Sequence, residues 1–206
     1  MNLSETDRQS IDERAARLEA RTGVQVVAAL VDRCDAYPEI PWKAFALGAA
    51  MAALVVAQGL QGAVLATLTL LGAGASAALA SVFLPAFARL FLQAGRRDTE
   101  MRQYAESFFL KHELFRTRER RGILVLIGLF ERSVVILPDS GLRERIGTAE
   151  LEDVIALMKP ALAGGRHAAA MLDGLNALEA LLVARGFTGG TGDDEIAREV
   201  IEEKGA

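Results

Sequence analysis

Between Ala44 and Ala88 the chain runs for 45 residues without one Asp, Glu, Lys, Arg or His. One membrane crossing needs roughly 20 apolar residues, so this run is long enough for two. It breaks once, at Gln58-Gly59-Leu60-Gln61-Gly62, where two amides and two glycines suit a tight turn at a membrane surface. The reading is a transmembrane hairpin, with one helix near Trp42–Leu60 and a second near Gln61–Leu90. A soluble helix needs a polar face, and neither half offers one. Gly48 with Ala52, Gly72 with Ser76 and Ala80, and Gly74 with Ala78 stand at small-residue spacing. That spacing lets helices approach closely in lipid, within one chain or between copies. No ionisable side chain lies in the run, which argues against a transporter.

The flanks set the orientation. Arg33 and Lys43 precede the hairpin, and Arg89, Arg96, Arg97 and Arg102 follow it, while the turn between the helices is uncharged. Basic residues collect on the cytoplasmic side, so both termini and the soluble part are expected there. The first seven residues have neither a basic start nor an apolar core, so no signal peptide is expected. Net charge is −4, and the segment beyond Gly190 alone carries six acids against two bases. The remainder is neutral, which implies no nucleic-acid surface. Cys34, the single cysteine, has no internal disulfide partner and reads as an incidental small residue after a strand.

The rest of the chain alternates strands and helices. Ser4 is a helix cap, Ile11, Ala15 and Leu18 share one face, and Gly23 ends the helix. Val24–Val31 is nearly all apolar, as a strand covered on both faces requires. After the hairpin, where Pro85 is placed to kink or end the second helix, Met101, Ala105, Phe108, His112 and Phe115 form a helical stripe. His112 reads as a core-boundary histidine on it. Ile123–Leu129 and Ser133–Leu137 are strands joined by a turn at Glu131-Arg132, too close for a crossover and so antiparallel. Two helices follow, from near Thr148, with a bend at Pro160, and from near Gly165. Thr188–Gly192 reads as a linker, and the acidic tail as one short helix at best. These elements predict a small α/β protein, a three-layer α/β/α sandwich with a short mixed sheet and an inserted two-helix hairpin. The expected parts are residues 1–41, the hairpin 42–90, residues 98–186, and a flexible acidic tail 187–206.

The stretch Thr117-Arg118-Glu119-Arg120-Arg121-Gly122-Ile123-Leu124-Val125-Leu126, then Phe130-Glu131-Arg132 and Asp139-Ser140-Gly141-Leu142, resembles the TPM-domain family over about residues 3–32 and 98–186. Relatives include a thylakoid-lumen protein of photosystem II repair and many bacterial membrane proteins. The likeness is to a bacterial branch with a Thr-x-x-Arg-x-Gly-Val-Leu strand, a Glu-Arg turn and an Asp-x-Gly turn, which implies the inner membrane. This chain departs from the pattern at Leu151, where the family has an aromatic residue. It departs again at Gly164-Gly165-Arg166-His167, in place of a Gly-Asp-Tyr-like turn, and in its internal hairpin. Acid-phosphatase activity and calcium binding have been attributed to some relatives.

The acids available for such chemistry are Asp32, Glu131 and Asp139, each at or after a strand end. Calcium takes six to eight oxygen ligands, so these three would have to converge. Asp32 and Asp139 meet at one sheet end only if their strands run parallel. Against a metal site stands a structural charged network of Glu131 with Thr117, Glu119, Arg120 and Arg132, with Gly122 and Gly141 as turn glycines. Arg166 and His167 at a helix start could hold an anion, or simply form a loop. No nucleophile triad, zinc spacing or nucleotide fingerprint is present. Two functions remain. One is a non-enzymatic module, partnered by the lipid bilayer and by other membrane proteins or itself. The other is a calcium- or magnesium-dependent phosphatase. Three scattered acids are too few for a catalytic centre, which favours the module.

Overall fold

The computed structural model describes residues 3–59, 62–117, 119–189 and 200–205. It divides into two compact units, Met1–Asp35 with Asp98–Ala206, and Ala36–Arg97.

The first unit is built on a mixed four-stranded sheet. Its strands β1 (Gln25–Arg33), β2 (Gly122–Gly128), β3 (Ser133–Pro138) and β4 (Ile201–Gly205) lie in the order β3-β2-β1-β4. β1 runs parallel to β2 and β4, while β2 and β3 form the expected antiparallel hairpin. β1 and β2 are apolar on both faces because helices cover both. On one side Val26, Ala28, Leu30, Ile123, Val125 and Ile127 meet α1 (Glu5–Thr22), α7 (Thr148–Ala163) and α8 (His167–Ala184). On the other, Val27, Ala29, Val31, Leu124 and Leu126 meet Met101, Ala105 and Phe108 of α5 (Ala94–Lys111). The architecture is the three-layer sandwich.

Local signals account for the helix ends. Ser4 Oγ accepts a hydrogen bond from Asp7 N at 3.1 Å, and Gly23, at φ 69°, donates to Glu19 O at 2.8 Å. Helix α5 begins at Ala94, about two turns before the stripe residue Met101. Pro160 sits inside α7.

The tail requires a correction. Residues 201–205 are neither helical nor a free acidic segment but the edge strand β4. Alternate strand residues point to opposite faces, and here that separates two neighbouring acids. Glu202 reaches Arg8 of α1 at 2.7 Å. Glu203 accepts from Lys111 at 2.6 Å and from the Tyr104 hydroxyl at 2.7 Å, with His112 Nε2 at 3.3 Å. Burial pushes the Glu203 carboxyl up, but hydrogen bonds from Lys111, Tyr104 and His112 outweigh it and hold the group below its ordinary pKa. The expected linker's residues 190–192 lie outside the described residues, as do 193–199.

The second unit contains α2 (Glu39–Val56) and α3 (Ala63–Phe83), followed by the short α4 (Pro85–Ala88). Its bounds exceed the expected 42–90 because α2 starts at Glu39 and the chain continues past Phe83 in α4 and a 3-10 turn, Arg89–Phe91. Pro85 occupies the first turn of α4, after Leu84 leaves the helical region. Of the expected turn, Leu60 and Gln61 lie outside the described residues. The two long helices pack through small residues. A Cβ on Gly48 would stand 2.7 Å from Ala73 O, and one on Gly74 would meet the Phe45 ring at 2.7 Å. Elsewhere these helices expose their apolar side chains. Among the described residues, fourteen of the sixteen exposed large hydrophobic side chains fall between Trp42 and Leu90, so the outward surface of these two helices is largely apolar. Both helices are long and apolar enough to cross a membrane. Near their chain ends, Arg96 Nε lies 3.2 Å from Glu39, and Lys43 donates to Phe91 O at 3.4 Å.

Candidate functional site

The sequence motif folds into two separate places, because β2 runs through its middle. At the start of β2, the loop after α5 and the turn after β3 interlock. Thr117 is buried, with Oγ1 accepting from Arg121 N at 2.9 Å and its carbonyl accepting from Arg120 N at 3.0 Å. Arg120, at φ 54°, extends its guanidinium to Asp139, with Nε 2.9 Å from Oδ2 and Nη2 3.1 Å from Oδ1. Asp139 is buried and also accepts from Ser140 N at 2.6 Å, capping the one-turn helix α6 (Ser140–Arg143). Glu119 pairs with Arg121 at 2.5 Å.

The glycines fit this node by size. A Cβ on Gly122 would stand 2.2 Å from Leu114 O, and one on Gly141 would stand 2.3 Å from Glu119 O. Any side chain there would force backbone apart. A pocket of about 370 Å³ opens on the node, lined by Arg120, Asp139, Ser140 and Arg143 with an apolar wall of Phe109, Leu110 and Phe115.

Asp32 and Glu131 are at the other end of the sheet. Gly122 pairs with Gln25 and Gly128 with Val31, so the two ends are separated by the length of β2, roughly 20 Å at the usual strand rise. Asp32 is exposed, and its carbonyl accepts from Phe130 N at 2.9 Å. Glu131 is buried, with Oε1 accepting from Cys34 N at 2.9 Å. Arg132, at φ 48°, completes the turn between β2 and β3. Burial, followed by the nearby charges of Glu131, Asp35 and Glu100, pushes the Cys34 thiol up, so it stays protonated.

Two expectations are therefore corrected. Asp32, Glu131 and Asp139 do not form one metal site, because β1 and β3 run in opposite directions and carry Asp32 and Asp139 to opposite sheet ends. Both Asp139 oxygens face the Arg120 guanidinium, which repels a cation there. No group of three metal-ligating side chains occurs among the described residues, so a calcium ion has no matching ligand set in these acids. Nor do Glu131 and Arg132 join Arg120 in one network; Arg120 takes Asp139 instead. Sequence reasoning overlooked that pair because Glu131 is the nearer acid along the chain. The residue that could have revealed it is Gly141, whose close approach to Glu119 and Arg120 brings the loop to Asp139.

The two histidines have modest surroundings. His112 stacks on Phe108 at 4.1 Å between ring centroids and lies at hydrogen-bond distance from Glu203, the boundary position expected. Arg166 is exposed and His167 half-buried at the start of α8, after Gly165 at φ 70°.

Comparison with known proteins agrees with this architecture. The fold is similar to that of the BA42 protein from the psychrophilic bacterium Bizionia argentinensis, solved by NMR. The TM-score is 0.61 at 11% identity, covering 98% of this chain and 96% of that one. At such identity the likeness carries the fold alone. No curated protein matches the sequence. The profile of the TPM domain matches residues 64–181, more than half of the chain, and so includes the whole Thr117–Leu142 motif. It leaves out α1 and β1, which the resemblance of residues 3–32 had included. The chain belongs to the TPM-domain family.

Proposed function

We propose that this TPM-domain protein is anchored in the bacterial inner membrane by two spans, α2 and α3. In this reading both termini and the sheet domain are cytoplasmic, and the domain binds or assembles other membrane proteins without catalysis. The anchor is supported by the outward apolar side chains of the second unit and by the basic residues on both of its flanks. The observation that carries the module over the hydrolase is the separation of the acids by β2. A hydrolytic centre needs converging polar groups in one concavity, and Asp32 and Glu131 stand far from Asp139.

The recognition element in this reading is β3. Edge strands are normally blunted with charge, bulges or proline. Ser133-Val134-Val135-Ile136-Leu137 has no charge, and its proline comes only at the last position. Beside it lies a groove of about 270 Å³, where Ser133–Ile136 face Met101 and Leu151 with Asp98, Arg102 and Glu152 at the rim. An apolar extended segment of a membrane-protein partner would add to this edge as a strand.

The test compares native-membrane pull-downs by the full chain and by Val135→Lys. The expected result is an integral membrane protein held by the full chain and lost from a variant that still melts cooperatively. Equal capture by both would refute the edge as the binding element. The second reading, a phosphoester hydrolase, draws on Arg120, Arg143 and Ser140 around the node pocket. Turnover of a phosphoester panel with calcium or magnesium, abolished by Arg120→Ala, would establish it in place of the module.

A further inference from the structure

The opposite edge of the sheet is already occupied, and its occupant is held unlike any other strand. None of the five residues of β4 is buried. Its ladder to β1 consists of Ala29↔Ile201, Leu30↔Glu202, Val31↔Glu203 and Arg33↔Gly205, in the parallel geometry that is the weaker of the two. What fixes it is a set of polar side chains on both sides. From α1, Arg8 meets Glu202, and Asp12 accepts from Val200 N at 3.0 Å. From the far face, Tyr104, Lys111 and His112 gather on Glu203. The cations remain open to solvent, with the Lys111 side chain 64% exposed.

We infer that the outer edge of β1, flanked by Arg8, Asp12, Tyr104, Lys111 and His112, is a binding site for an acidic extended peptide, and that Val200–Gly205 is its displaceable resident. The pattern the site reads follows from strand geometry. Two consecutive acids are required, because neighbouring side chains point to opposite faces and each face carries its own cation. The apolar residue before them is Ile201, packed beside the α5 core. Glycine is required two positions after the second acid. A Cβ there would lie 1.8 Å from Arg33 O, and the backbone is at φ +73°. The ligand class is thus a strand of the form apolar-acid-acid-x-Gly, added to the sheet by main-chain hydrogen bonds. This site is distinct from the β3 edge and does not depend on its role.

The test uses the chain in detergent, full length and ended after Gly189, with a fluorescent peptide of the sequence Val-Ile-Glu-Glu-Lys-Gly. The shortened chain should bind the peptide, and the full chain should bind it at least about tenfold more weakly, since a tethered segment competes at high effective concentration. Replacing both glutamates of the peptide by lysine should abolish binding, and Lys111→Glu in the shortened chain should weaken it by about tenfold or more. A shortened chain that melts cooperatively yet ignores the peptide would overturn the inference, as would equal binding by the full chain. Hydrogen exchange on the full chain covers the case in which the shortened chain does not fold. Lys111→Glu should speed exchange at 201–205 by about tenfold or more while leaving 123–127 unchanged. Unaltered protection at 201–205 would likewise overturn it.

Discussion

Helices α3 and α8 are both long and apolar, yet they meet different surroundings. Their most apolar 18-residue windows have mean hydropathy 1.8 and 1.2, and either would pass as a membrane span by composition. In α8, Met171, Leu175, Leu178 and Leu182 are wholly buried against the sheet domain. In α3, Leu65, Leu68, Leu71, Leu79 and Val82 are each more than half exposed. The polar residues differ as well. Glu179 on α8 bonds Arg14 at 2.5 Å and Arg21 at 2.7 Å, both from α1, whereas α3 has no charge at all. Hydropathy counts apolar residues; burial tells which solvent they avoid.

The largest effect expected from this contrast is on core integrity. Leu175→Asp places a carboxylate in a closed apolar core, at a cost of several kcal/mol, and should abolish cooperative unfolding. Leu71→Asp should leave the domain's unfolding free energy, measured in urea, within about 0.5 kcal/mol of the parent. It should instead hinder insertion by about 3 kcal/mol, read by carbonate extraction. Loss of domain folding in Leu71→Asp would erase the distinction between the two helices.

A smaller effect is expected at the glycines where each helix pair comes closest. Gly48 faces the backbone of α3 at Ala73 O, while Gly174 of α8 faces the flexible end of Met158, with its Sδ 2.6 Å from an added Cβ. Backbone cannot yield and a methionine can. Gly48→Ala should loosen the α2–α3 pair by about 1–3 kcal/mol, measured as increased crosslinking distance between spin labels on the two helices. Gly174→Ala should cost the domain less than that in a thermal melt.

Next comes the ion cluster that ties α8 to α1. Burial raises the Glu179 carboxyl, but Arg14 and Arg21 outweigh it and hold the pKa below the ordinary value. A carboxyl with a depressed folded pKa stabilises the fold above the ordinary value, about 4.3 for Glu. That contribution is lost as pH falls through the folded value. Glu179→Gln should therefore be less stable than the parent at pH 7, by about 1–2 kcal/mol, and the gap should close as pH falls through the folded value. A gap independent of pH would remove the cluster from the account.

The largest edit is expected to change stability least. Replacing Pro41–Arg97 with a flexible linker should yield a soluble, cooperatively unfolding domain, since doubling a loop changes its closure cost by only about 0.6 kcal/mol. Aggregation across several linker lengths would show that α2 and α3 are required by the fold.

Much of the sandwich is legible in the sequence because its signals are local. The Ser4 cap, the Gly23 stop, the two-sided apolar run of β1 and the short turn between β2 and β3 each act within a few residues. What was not legible depends on partners distant in the chain. Ile201–Gly205 reads as a solvated acidic tail until Arg8 and Lys111 are known to flank it. The direction of β3 relative to β1, which separates Asp139 from Asp32, is decided by sheet order alone. The pairing of Arg120 with Asp139 is invisible for the same reason, although Gly122 and Gly141 mark where the backbones meet.

The central claim, that α2 and α3 cross the membrane and α8 does not, is tested most directly by single-cysteine labelling. In a Cys34→Ser background, Gly59→Cys reports the turn between α2 and α3, and Arg166→Cys reports the turn between α7 and α8. An impermeant maleimide applied from outside the inner membrane should label Gly59→Cys and should reach Arg166→Cys only after the membrane is opened. Labelling of Arg166→Cys from outside, or protection of Gly59→Cys until opening, would contradict the account.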